Sequence, residues 1–237
     1  MVAGGRGAGA TSVCVPFLHS SLRGAVDTDA GSQAWYSVFA SVLNPHEPAK
    51  NLTALIGGFL EFHSEHPKSL LLLKLIVDNA GDRLDNLMTG IRPHISGYEL
   101  IDSDAVWLAT AQLAEPALAD LYRFSSAYLC SSCAEGENTS LQEAMACGAV
   151  PITTRHTAML DYIGEENAII INSERRPIDR PDTAMGTFPD ASWHVCTSGD
   201  VACGLRQFAG LGEAAQRELG ARAAPRSRAN PTIAGRL

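Results

Sequence analysis

Two glutamates eight positions apart, Glu135 and Glu143, frame the segment AEGENTSLQEAMACGAVPITT. Before it, Ala127–Ser131 reads as a short buried strand. After the first glutamate, Leu141–Cys147 reads as a helix that stops at Gly148, and a second strand, Val150–Thr154, follows at once. The order strand, Gly-containing turn, helix, strand has a chemical consequence. The first N–H groups of a helix lack intrahelical partners and carry partial positive charge, so an anion settles there readily. An anion site flanked by two carboxylates suits a ligand bearing both phosphate and hydroxyl groups, and a sugar nucleotide is one. Glu143 also has a structural reading. Ser140-x-x-Glu143 spells a capping box, in which the carboxylate returns to the cap residue's N–H.

These side chains can act together only if the surrounding elements bring them to one place. Trp35–Leu43 is a strand candidate that stops at Asn44-Pro45. Leu52, Leu55, Ile56, Phe59 and Leu60 follow the spacing of a helix with one buried face. Ser69–Val77 is an almost unbroken apolar run, as in a strand covered on both faces of a parallel sheet. A helix is expected over Asp82–Ile91 and a strand over Ala105–Ala109. Glu115-Pro116 opens another helix, with proline in its favoured first turn. Ile169–Ile171 is a short strand, and Leu205, Phe208 and Leu219 mark two late helices. Strands alternating with helices in this way predict an α/β domain with a doubly wound parallel sheet, Rossmann-like, over residues 35–220.

In an open sheet of this kind ligands lie beyond the carboxyl ends of the strands. Lys50 follows the first strand, Glu135 the fourth, and Arg155 and His156 the fifth, so these four should gather on one edge. Lys50 stands before Asn51 and a helix, where its ammonium can lie beside a diphosphate; otherwise it is an ordinary loop lysine. His156 can donate to a phosphate or a hydroxyl, or simply start a helix, and Asp161 reads as structural. Lys74 sits inside LLLLKLIV, where a charge must find a partner or reach the sheet's end.

The run Glu, Gly, a second Glu eight positions after the first, then Ala-Met-Ala-Cys-Gly and Pro-Ile resembles the donor-binding signature of family 4 glycosyltransferases. LAEPALADLYRFSSAYLCSS, FASVLNPHEPAKNLTALIGGFLEFHSEHP and HTAMLDYI extend the likeness over roughly residues 36–220. Those enzymes retain anomeric configuration and have two Rossmann-like domains facing across a cleft, the GT-B fold. The resemblance implies that this chain is the C-terminal, donor-binding half, with residues 1–34 a linker or remnant of the other half. It implies a nucleoside diphosphate sugar as donor and transfer of a hexose to a carbohydrate or lipid-linked acceptor. Lys50 would hold the diphosphate, and Glu135 would meet the hexose near its anomeric centre. Glu143 would accept hydrogen bonds from the ribose, with Gly136, Asn138, Thr139 and Ser140 lining the phosphates or sugar. Where many members carry a second basic residue shortly before the lysine, SVLNPHEPA offers only His46, and Arg155 is the available substitute. A non-catalytic nucleotide-binding module that needs a partner subunit to supply the acceptor domain is the alternative.

Composition narrows the choice further. A net charge of −8 argues against a nucleic-acid-binding surface, and no apolar run approaches the roughly 20 residues that span a bilayer. The expected setting is cytoplasmic, with peripheral membrane association as its variant. Cys130-x-x-Cys133 has no second half, so neither a zinc site nor a disulfide framework follows, and no metal or cofactor is expected. Asp102-Ser103-Asp104 looks like a metal motif but precedes its strand, at the wrong edge. Residues 221–237 carry four arginines and no acid, the composition of a solvated tail.

Overall fold

The computed structural model describes residues 37–76, 105–109, 112–178 and 191–228. Among these residues the apolar runs form six parallel strands: β1 Ser37–Leu43, β2 Ser69–Leu75, β3 Val106–Ala109, β4 Ala127–Cys130, β5 Val150–Thr153 and β6 Ile169–Ile170. They lie side by side in the order β3-β2-β1-β4-β5-β6. The chain builds outwards from β1 to β3, then returns to lay β4 on the free side of β1. Phe39 of β1 consequently faces Leu71 of β2 on one flank and Ala127 of β4 on the other. The strand order reverses between β1 and β4, and there the connections after the two strands diverge and leave a crevice.

Among the described residues, five helices cover the two faces: α1 Leu52–Glu65, α2 Glu115–Phe124, α3 Thr139–Ala146, α4 Ser198–Gly210 and α5 Glu213–Arg228. Alternation along β1 divides its side chains between the two layers. Phe39 meets Phe59 and Phe62 of α1 and Phe208 of α4 edge to face, with ring centroids 5.5–6.1 Å apart. Val38 and Ala40 belong to the opposite layer, with Tyr122, Tyr128, Leu141 and Met145. Helices α1 and α4 approach closely at Gly58, where a Cβ would lie 2.5 Å from the Ser198 carbonyl oxygen and from Val201 Cβ. Arg206 pins the same pair by bonding Glu61 and Glu65. The architecture is the doubly wound, Rossmann-like α/β domain expected from the sequence.

Several boundaries and one whole element differ from expectation. Residues 35–36, the end of the second strand at Val77, the helix expected over 82–91 and the Asp102–Asp104 run lie outside the described residues. Helix α3 begins at Thr139 and is capped by Asn138, whose side chain accepts the Leu141 N–H. The Ser140–Glu143 capping box therefore gives way to an Asn cap two residues earlier. Helix α5 runs on to Arg228, into the stretch whose composition marks a tail. An antiparallel hairpin, β7 Glu174–Pro177 and β8 Ser192–Val195, is new. Its first strand, Glu-Arg-Arg-Pro, is fully exposed and shows no apolar alternation, so no strand signal exists there. Lys74 is buried and donates to the Leu75 carbonyl at 2.6 Å. Burial holds its pKa below the ordinary lysine value.

Candidate functional site

Lys50 and Glu135 meet at the reversal of strand order. Lys50 ends a short 3-10 turn, Pro48–Lys50, that follows β1; Glu135 lies in the turn that follows β4. The Lys50 ammonium donates to both carboxylate oxygens of Glu135, at 2.9 and 3.1 Å, with Glu47 at 3.6 Å. The side chains are 20% and 9% exposed, so the pair sits inside the crevice mouth and not on the open surface. Burial opposes the charge on Lys50, but the Glu135 hydrogen bond and the two nearby carboxylates outweigh it and raise the pKa. Lys50 is therefore an ammonium at neutral pH. Two helices begin beside it. Asn51, in the left-handed region at φ 51°, opens α1, and its amide turns away to Cys196 instead of capping the helix. Asn138, at φ 56°, opens α3. Positive helix ends, an ammonium and a carboxylate thus share one crevice, lined also by Ser41, Tyr128 and Ser132.

The turn that carries Glu135 is tied down residue by residue. Ser131 Oγ donates to the carbonyls of Lys50 and Asn51, and the Cys133 N–H donates to Ala49 at 2.6 Å. The Ser132 carbonyl accepts from Thr154 Oγ1 at 2.9 Å and from His156 Nε2 at 2.7 Å. The Cys133 carbonyl accepts the His194 N–H from β8. The Glu135 N–H donates to Thr157 Oγ1 at 3.1 Å, and the Glu137 carbonyl accepts from Tyr162 Oη and Gln142. Such a turn is pre-organised, so little ordering remains to be done when a ligand arrives. Gly136 is exposed, and a Cβ added to it would meet no atom within 4 Å.

The remaining expected residues fall into two groups. Gly136, Asn138, Thr139 and Ser140 line the turn and the start of α3, beside the Lys50–Glu135 pair. His156 reaches the same network but has both ring nitrogens engaged: Nε2 with Ser132, and Nδ1 with Thr157 Oγ1 at 3.2 Å. Its ring stacks on His194 at 4.9 Å, and burial, with His194 beside it, lowers its pKa. Arg155 is exposed on this edge and donates through Nε to the Ile163 carbonyl at 2.8 Å. Glu143 is buried on α3 and accepts from Tyr122 Oη at 3.2 Å. The tyrosine's own pKa is driven up by burial and by that carboxylate. Thr157, Tyr162, Ser131 and His194 went unpredicted because single polar residues in loops carry no sequence signal. Burial raises the Cys133 thiol to about 11 and the Cys196 thiol to about 12, which suits packing residues and not nucleophiles. Among the described residues, no group of three or more His, Cys, Asp or Glu is placed to hold a metal ion, and no helix is long and apolar enough to cross a membrane.

No protein-family profile matches the chain, and no curated protein matches it. Solved structures share its fold. A UDP-forming trehalose-phosphate synthase from Burkholderia xenovorans superposes with a TM-score of 0.63 at 13% identity, covering 92% of this chain and 44% of that one. A trehalose-6-phosphate protein from E. coli bound with UDP-2-fluoro glucose gives 0.62 at 13% identity, over 91% and 44%. The N-terminal domain of Candida albicans trehalose-6-phosphate phosphatase gives 0.60 at 15% identity, over 91% and 42%. The chain therefore shares the Rossmann-like, GT-B domain fold of these structures and spans less than half the length of each.

Proposed function

We propose that this domain is the donor-binding, C-terminal half of a retaining glycosyltransferase of family 4 and takes a nucleoside diphosphate sugar. The observation that carries the proposal is the meeting of Lys50 and Glu135 beyond the carboxyl ends of β1 and β4, between two helix N-termini. A diphosphate lodged there exchanges the Glu135 carboxylate for its own charge on Lys50, while Glu135 turns to the hexose hydroxyls. Departure of the nucleotide then builds negative charge beside an ammonium and two helix ends, and positive charge on the sugar beside a carboxylate. Stabilisation of both charges lowers the barrier. Gly136, Asn138, Thr139 and Ser140 line the sugar and phosphates, with Arg155 the second cation at the edge. Glu143 meets the ribose, its carboxylate oriented by Tyr122. The acceptor, a carbohydrate or a lipid-linked sugar, requires a facing domain, on the same polypeptide or on a partner subunit. Without one the domain is a nucleotide-binding module only. Thermal-shift titration with UDP-, GDP- and ADP-glucose tests the proposal. At least one should raise Tm with saturation, and no response to any of the three would overturn it.

A further inference from the structure

Among the described non-glycine residues in the left-handed region, Asn51, Asn138 and Thr157, only Thr157 is β-branched. Its φ is 47°, in the left-handed region, where a β-branched residue is an outlier and glycine is at ease. Such a conformation persists when the surroundings hold it in place, and outliers of this kind cluster at functional sites. Thr157 is exposed, so no packing demand accounts for its side chain. Its hydroxyl, by contrast, is fully used. Ser132 offers His156 a carbonyl, which can only accept, so His156 Nε2 carries the hydrogen. The neutral ring then has Nδ1 as an acceptor, and the Thr157 hydroxyl donates to it. The hydroxyl oxygen in turn accepts the Glu135 N–H. A single chain of bonds runs from the Ser132 carbonyl through His156 and Thr157 to the Glu135 backbone, and closes a ring around the turn that bears the carboxylate.

We infer that Thr157 is a positioning residue for the sugar end of the donor: its strained backbone and its hydroxyl together fix Glu135 opposite Lys50. This rests on the reading of Glu135 as the hexose contact. The nucleotide end depends on Lys50 and the helix starts, to which Thr157 makes no bond, so the two ends of the donor should separate experimentally.

Calorimetry with UDP and with UDP-glucose, on wild type, Thr157→Gly and Thr157→Ser, makes that separation. Thr157→Gly removes the hydroxyl while relieving the backbone, so Tm should hold or rise. UDP should bind it as it binds wild type. The extra affinity of UDP-glucose over UDP should shrink by about tenfold, the scale of one lost charge-assisted contact. Thr157→Ser keeps the hydroxyl and should keep the sugar increment. Exchange of the Glu135 amide should accelerate in Thr157→Gly and not in Thr157→Ser. If Thr157→Gly retains the wild-type increment, Thr157 does not position the sugar contact, and the inference fails alone. If wild type binds UDP and UDP-glucose with no difference, the hexose role of Glu135 and this inference fail together. If it binds neither, the donor reading itself falls with them.

Discussion

Glu135 pulls in two directions on a nucleotide sugar. Its carboxylate neutralises Lys50, which keeps a half-buried ammonium cheap to hold but competes with a diphosphate for the same cation. Glu135→Gln should therefore leave UDP binding unchanged or tighter, while reducing the added affinity of UDP-glucose by about tenfold, one charge-assisted hydrogen bond's worth. Lys50→Ala should weaken UDP itself by a similar factor and move Tm little. Calorimetry on the two variants decides; the opposite pattern would exchange the roles of the two residues. His156 gives a pH signature. Its folded pKa lies below the ordinary 6.5 because burial and His194 disfavour the charge, so the unfolded chain binds the extra proton first. The stability it contributes is present above about pH 6.5 and is lost as pH falls through that value towards the folded pKa. A Tm that drops between pH 7 and 5 in wild type and drops less in His156→Gln is the expected result. The meeting of Lys50 with Glu135 was legible in the sequence, since both follow strands of one parallel sheet. Glu143 was legible as a residue of its helix, but its burial and its Tyr122 partner were not. That contact spans two helices and leaves no local mark.

Helices in this domain are placed by what they lack as much as by what they bury. At Gly58 the α1 backbone lies so close to α4 that a methyl group would displace Ser198 or Val201. Gly58→Ala should cost about 1–3 kcal/mol, the usual penalty for overpacking a well-filled contact. Gly136→Ala serves as the control, because the added methyl enters open space; urea melts should show a shift for the first and none for the second. UDP-glucose titration of Gly136→Ala then asks whether that space receives ligand, with weakened binding expected. The strands of the sheet were readable as apolar runs between turn residues, and α1 by the helical spacing of its buried residues. The cap of α3 was misread because Ser140-x-x-Glu143 and Asn138 offer the helix start in two registers, and the left-handed backbone of Asn138 chose the earlier. The hairpin of β7 and β8 left no trace in the pattern. Its first strand is two arginines between a glutamate and a proline, and its second meets the site through a backbone bond to Cys133 and the stacking of His194 on His156.

Across the whole molecule, the site is the seam of the sheet. Lys50 and Glu135 are 85 residues apart in sequence, and the strands they follow pair only where the order reverses. UDP affinity and far-UV circular dichroism should therefore disappear at one urea concentration; binding that is lost first would show the seam opening while the rest of the sheet survives. The same seam sets a schedule during synthesis. At about 5–20 residues per second, β1 waits several seconds after β2 has emerged before its second neighbour exists. Throughout that interval Ser37–Leu43, a run of apolar and small residues, presents one unsatisfied edge. A nascent chain of this protein is thus most exposed to mispairing, and most in need of a chaperone, between the emergence of the second strand and the fourth.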